Sequence, residues 1–410
     1  MRRDPREDRL RESVRSLRVP GEDEALERAV ATAASGAVTP ARRGRGRSIR
    51  AAVAAVAAVG LGAVLVLTPA GADVREWVAD AIDDEPVVEK EALTRLPAAG
   101  EVLVTSDRGA WLVAGDGSRR LLGDYDQATF SPRGLYIGAT RGNTLTAVEP
   151  SGEVRWSISR PFDLADPRWA PSGYRIAYRE GRGLGVIAGD GTLPHLVARD
   201  VAPVAPSWRP PPDGTDPRSE PNVLTYVAGN GLITTVDADS GRELWHRTSS
   251  RRPISVTWSG PDRLVVATVN GVRVLDRDGE LVTSPPLPAA STVESVTPSP
   301  GGERLAIVLG ERGVALDARS RLYLARIAGG EPRERTVFSG FGRFGEPTFS
   351  PDGEWILMPW KDTDQWLFIS PSEDRKLLRR VVAVGDIGRQ FDPGGRGRGS
   401  APAIEGWCCP

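Results

Sequence analysis

The apolar and polar positions of this chain follow two different rhythms. From residue 99 onward, short alternating runs such as Arg175-Ile-Ala-Tyr178, Arg263-Leu-Val-Val-Ala267 and Gly271-Val-Arg-Val-Leu275 are separated by Gly, Pro, Asp and Ser. A period of two is the mark of half-buried strands. Before residue 99 the rhythm is helical. Leu10, Val14 and Leu17 share one face, and Pro20-Gly21 stops that helix. Glu22, Asp23 and Glu24 favour the first turn of a second helix with a thin stripe of Leu26 and Val30, ending at Gly36. Helices this short are marginal in water. Residues 1–47 therefore read as short helices or a disordered head, or as a segment that folds on a partner.

Between the two regimes lies Ala51–Ala72, a run without a single charge. About 20 apolar residues cross a bilayer, and a helix that is apolar on every face belongs in one. Arg42, Arg43, Arg45, Arg47 and Arg50 precede it, and Asp73, Glu76, Asp80, Asp83, Asp84 and Glu85 follow. The positive-inside rule predicts a transmembrane helix over 48–72, with a cytoplasmic head and an extracytoplasmic body. Cleavage after Ala70-Gly71-Ala72 is the rival, but the lead is too long for a secretory signal. Val74, Trp77, Val78 and Ile82 share a helical face at the start of a stalk, 73–98, whose remainder reads as linker.

Within the body one pattern recurs: aromatic, any residue, Pro, any residue, Gly, then a β-rich run. It reads Phe130-Ser-Pro132-Arg-Gly134, Trp169-Ala-Pro171-Ser-Gly173, Phe349-Ser-Pro351-Asp-Gly353 and Phe391-Asp-Pro393-Gly-Gly395. Looser copies begin at Trp208, Trp258 and Pro298. Steps of roughly 40–50 residues are the period of propeller blades. The aromatic is expected to end an inner strand and pack between blades, with Pro and Gly making the turn. Hairpin turns follow at Asp116-Gly117, Asp190-Gly191, Ser240-Gly241 and Asp278-Gly279. Strand pairs begin near Glu101, Leu135, Arg175, Asn222, Arg263, Arg304 and Glu354. This predicts an all-β, seven-bladed propeller over 99–395, or six blades if one pair is an excursion. Closure is assigned to the Phe391 copy, beside the Glu101 strand, which leaves 396–410 as a dispensable flexible tail.

These repeats resemble those of TolB-type propellers and, more distantly, WD40-like repeats, although the Gly-His and Trp-Asp pairs of WD40 are missing. Val236-Asp-Ala-Asp-Ser-Gly241-Arg-Glu-Leu-Trp245 resembles quinoprotein-type repeats, with a weaker echo at Leu145–Trp156. The head, Arg cluster, single span and outer domain resemble actinobacterial anti-sigma-like membrane proteins. The head has neither the His nor the Cys that the zinc-binding subclass of that family needs.

Composition narrows the function. Net charge is −1 and the basic residues cluster at the membrane edge, which suits anionic lipid rather than nucleic acid. With only Cys408 and Cys409, no disulfide framework holds the body. That adjacent pair could close on itself, join another chain, bind metal or do nothing essential. His195 and His246 are the only histidines, each on an outer strand, with no nucleophile motif beside them. Asp237-Ala-Asp239-Ser-Gly241 lacks the terminal acid of a calcium loop and reads as a hairpin turn. No catalytic, cofactor-binding or metal site emerges. The expectation is therefore a non-enzymatic, membrane-anchored binding module for a protein or cell-envelope ligand. The alternatives are a transmembrane regulator whose head binds a cytoplasmic partner such as a sigma factor and, more remotely, a quinoprotein-like oxidoreductase.

Overall fold

A computed structural model describes residues 88–90, 93–311, 319–328, 334–371, 380–392 and 401–409, all within one unit spanning 67–410. The head, the uncharged run and the amphipathic stretch 74–82 lie outside the described residues. Among those described, no helix is long and apolar enough to cross a membrane.

The alternating runs form seven sheets, each built on four antiparallel strands in meander order, and one sheet carries a fifth strand. Six take their strands consecutively: blade 2 within 127–159, blade 3 within 164–198, blade 4 within 207–247, blade 5 within 253–283, blade 6 within 291–341 and blade 7 within 348–384. Blade 1 combines Glu101–Ser106, Gly109–Val113 and Arg119–Gly123 with the C-terminal strand Ala403–Cys408, which is its innermost. The seven innermost strands touch in sequence around an axis, and the circle closes from Ala403–Cys408 to Gln127–Phe130. The count of seven is thus met, and closure leaves no inner edge open.

The core is distributed rather than central. Seven apolar clusters each join two neighbouring blades. An aromatic at or one residue before the end of six inner strands enters one of them: Phe130, Trp169, Trp208, Trp258, Phe349 and Trp407; in blade 6 Pro298 holds that strand position. Trp208 Nε1 donates to Arg168 O of the preceding blade (2.8 Å), and Trp258 Nε1 donates to Thr225 Oγ1 (2.9 Å). Inner-strand hydroxyls tie the other way: Ser207 Oγ accepts from Trp258 N, and Thr297 Oγ1 donates to Pro347 O.

The repeat's turn has a mechanism the sequence pattern did not expose. In the Phe130, Pro298 and Phe349 copies, the Ser hydroxyl accepts the backbone N–H five residues on: Tyr136, Arg304 and Trp355, at 3.0, 3.1 and 2.9 Å. The glycine lies at positive φ, +66° at Gly134 and +71° at Gly353, where a Cβ would be strained.

Three expectations at the ends of the propeller are corrected. Phe391-Asp-Pro393 does not close the ring. Phe391 ends a short helix, Ile387–Phe391, and is buried beneath the junction of blades 7 and 1, edge-on to Trp111 at 5.7 Å. The closing strand is Ala403–Cys408, so residues 401–408 are not a flexible tail, and the inter-blade place assigned to Phe391 belongs to Trp407. The run before Phe391 has helical spacing, with Ile387 and Phe391 one turn apart. The strand before Trp407 was hidden because Glu405 bulges between Leu103 and Val104 and breaks the alternation. The stalk is also not all linker. Val88–Lys90 adds a fifth, parallel strand to blade 7 beside Arg380–Val384, and Leu93 and Leu96 are buried in the cluster of blades 7 and 1. The propeller therefore spans 88–408 rather than 99–395.

An aromatic cleft as candidate functional site

In a four-stranded meander the first and third turns of every blade lie on the same face. On that face the repeat symmetry fails at blade 4. Four to six residues link the first two strands in blades 2, 3, 5, 6 and 7, for instance between Trp169 and Arg175. In blade 4 the link from Trp208 to Val223 is Arg209–Asn222, carrying Pro210, Pro211, Pro212, Pro217 and Pro221. Proline removes backbone freedom, and internal bonds complete the loop: Thr215 Oγ1 donates to Pro212 O, and Asp216 Oδ1 accepts from Arg218 N.

This insertion walls the narrow end of a cleft. Its wider part, about 720 Å³, lies between Tyr136, Arg155, Trp156, Tyr174, Asp190 and Leu193. A narrower part of about 230 Å³ continues past Arg133 and Leu135 to Asp216, Pro217 and Arg218. The aromatic floor is built by the fold. Tyr136 stacks on the buried inter-blade Trp169 (6.3 Å, 14° between planes). Arg218 of the insertion lies over the Tyr174 ring at 5.7 Å. Trp156, on the outer strand of blade 2, donates to Gly189 O and packs on Gly191 of blade 3, where any Cβ would strike its ring. Trp245 repeats this bond on Arg277 O at blade 5. Apolar side chains remain open here: Leu135 is 59% exposed, Tyr174 45% and Leu193 76%. An apolar patch with a polar rim marks a binding surface.

The charges around the cleft fall into two classes. Arg155 is held by Glu149 and Glu153, which raise its pKa, and Arg175 Nε reaches Asp239 at 2.6 Å. Asp190 Oδ1 accepts from Thr192 N and Oγ1, bonds that lower its pKa. Arg133 and Arg218, both exposed, have no carboxylate partner among the described residues.

The axis carries a second cluster. Glu405 and Glu346 both titrate above the ordinary glutamate range because surrounding protein desolvates them, opposed by Arg168. Glu346 is exposed, so water screens much of that effect, and Glu405 is the carboxylate that burial perturbs more. Arg168, Glu346 and Glu405 belong to blades 3, 7 and 1, so these interactions span the axis. Thr105 Oγ1 donates to Glu405 at 2.7 Å, and Asp166 pairs with Arg179.

The other residues singled out from the sequence lie elsewhere. His195 Nε2 contacts Ala238 O at 2.8 Å, and His246 Nδ1 contacts Glu243 at 2.7 Å. Among the described residues, neither bonds a hydroxyl or thiol. Asp237 Oδ1 accepts from Asp239 N and Ser240 N, while Asp239 bonds Arg175 and Asn222. The hairpin reading of that segment holds, and no metal-holding group of acids, His or Cys occurs among the described residues. Cys408 and Cys409 are joined to each other, and Cys409 Sγ rests on the Pro132–Gly134 turn. The cleft itself was missed from sequence. Its one visible signal is the proline-rich stretch after Trp208, which departs from the repeat.

No protein-family model matches the chain, and no curated protein is similar to it. Several solved structures resemble its backbone in part. Hydrazine synthase of Kuenenia stuttgartiensis is 14% identical, with a TM-score of 0.48 over 60% of this chain and 76% of that one. A chain of a mitotic checkpoint complex is 15% identical, with a TM-score of 0.47 over 70% and 83%. The β-propeller domain of Myceliophteria thermophila Cps50 (Swd1) is 13% identical, with a TM-score of 0.47 over 69% and 89%. At these identities the likeness concerns the fold alone.

Proposed function

We propose that this protein is a membrane-anchored, extracytoplasmic propeller that binds a protein or cell-envelope ligand in the aromatic cleft of blades 2 to 4, without catalysis. One observation carries the reading: the exposed aromatic and aliphatic side chains of this face lie where a rigid insertion breaks the repeat. Symmetric blades account for stability, and departures from symmetry are where function is grafted. The anchor rests on the uncharged run Ala51–Ala72 and its flanking charges. The arginines before it would sit against anionic lipid, leaving the head free for a cytoplasmic regulator.

The test is site-specific crosslinking in intact cells, with a photoreactive residue at Leu193 in the cleft or at Leu281, an exposed outer-strand position of blade 5. A discrete adduct is expected from position 193 and none from 281. Adducts from 281 alone would overturn the cleft. For orientation, an export-dependent reporter should be active when fused after residue 124 and silent when fused before residue 45. The reverse pattern removes the topology.

A further inference from the structure

The chemistry of the cleft also points to the class of its occupant. We propose that it takes an extended peptide segment of a partner protein in which carboxylate side chains flank an aromatic or large aliphatic residue. This inference rests on the cleft reading above. Three observations carry it. First, Trp, Tyr and Arg together are the residues that dominate protein-binding hot spots, and here Tyr136, Trp156 and Tyr174 form the floor under four arginines. Second, the arginines are unequal. Arg155 and Arg175 are already paired, whereas Arg133 and Arg218, at the narrow end, lack carboxylate partners among the described residues. A guanidinium beside an apolar wall matches a carboxylate next to a hydrophobic side chain. Third, Leu135 and Leu193 offer protruding aliphatic contacts, which suit apolar side chains better than sugar hydroxyls.

The experiment uses the full chain, immobilised, and a displayed library of random 12-residue peptides. Leu193→Asp serves for counter-selection, because that side chain is 76% exposed and its replacement leaves the fold intact. Enriched peptides are expected to carry Asp or Glu within two positions of Trp, Phe, Tyr or Leu. The best of them, titrated by fluorescence anisotropy, should bind about tenfold more weakly to Arg133→Gln/Arg218→Gln. Its affinity for the parent should fall with added salt, and that slope should flatten in the double variant. Enriched peptides without carboxylates, or an unchanged affinity in the double variant, would overturn the proposal. No enrichment, together with retention of a neutral oligosaccharide by the parent but not by Leu193→Asp, would also overturn the peptide while leaving the cleft in place. Loss of the cleft reading itself would show separately, as no adduct from position 193.

Discussion

Replacing Trp407 by alanine probes closure directly. Trp407 is 7% exposed, meets Phe368 edge-on at 6.0 Å, and donates its indole N–H to Ala99 O at 3.2 Å. It also belongs to the cluster that joins blades 7 and 1, and it lies on the C-terminal strand whose pairing with Glu101–Ser106 closes the ring inside blade 1. Truncating a buried Trp to Ala costs about 3–5 kcal/mol, including the cavity it leaves, and the Ala99 carbonyl loses its donor for about 1 kcal/mol more. About 4–6 kcal/mol is a large share of a typical margin of roughly 5–15 kcal/mol. At about 2–4 °C per kcal/mol for a domain of this order, the Tm should fall by about 8–24 °C. Deleting residues 401–410 should cost more, since it also removes the ladder to Glu101–Thr105 and exposes a sheet edge. Circular dichroism melts of the full chain, the two variants and Leu281→Ala as a surface control give the answer. If Trp407→Ala melts within about 2 °C of the parent, the strand is not what closes the ring.

Four further outcomes are expected. Thr225 Oγ1 accepts from the buried Trp258 indole and bonds Thr235 Oγ1, so Thr225→Val should cost about 1–3 kcal/mol in denaturant unfolding by leaving that N–H without an acceptor; a neutral result would show that the bond does not matter. Gly191→Ala should destabilise more than Gly142→Ala, because both sit at positive φ but only a Cβ at 191 meets the Trp156 ring; equal midpoints would refute the contact. Glu405 has a raised pKa because burial desolvates it, so the stability it contributes is present at low pH and lost as pH rises through its folded-state value. The Tm should therefore climb as pH falls from 8 towards 5, and Glu405→Gln should flatten that climb; an unaltered profile would refute it. Below about pH 4 the trend should reverse, as carboxylates with lowered pKa such as Asp362, held down by Arg343, lose their partners; a profile still rising there would contradict the assignment.

Blade number, blade boundaries and the inter-blade aromatics could be read from sequence because each follows from short-range rules. Alternation marks strands, Pro and Gly mark turns, and a repeat that cannot bury its own faces must stack. His195 and His246 were likewise placed on outer strands by counting turns. Three things were decided only in three dimensions. Which C-terminal segment closes the ring depends on contacts between residues about 300 positions apart, and the bulge at Glu405 hid the winning strand. In hindsight, Trp407-Cys408-Cys409-Pro410 is the aromatic-to-proline motif with one residue inserted. The burial of Phe391, Leu93 and Leu96 follows from that closure, since their cluster exists only where the chain ends meet. The cleft gathers Tyr136, Trp156, Tyr174 and Arg218 from three blades, and no spacing within one blade encodes that meeting. Local patterning specifies the repeat. The site arises where neighbouring repeats differ, and stacking alone brings those differences together.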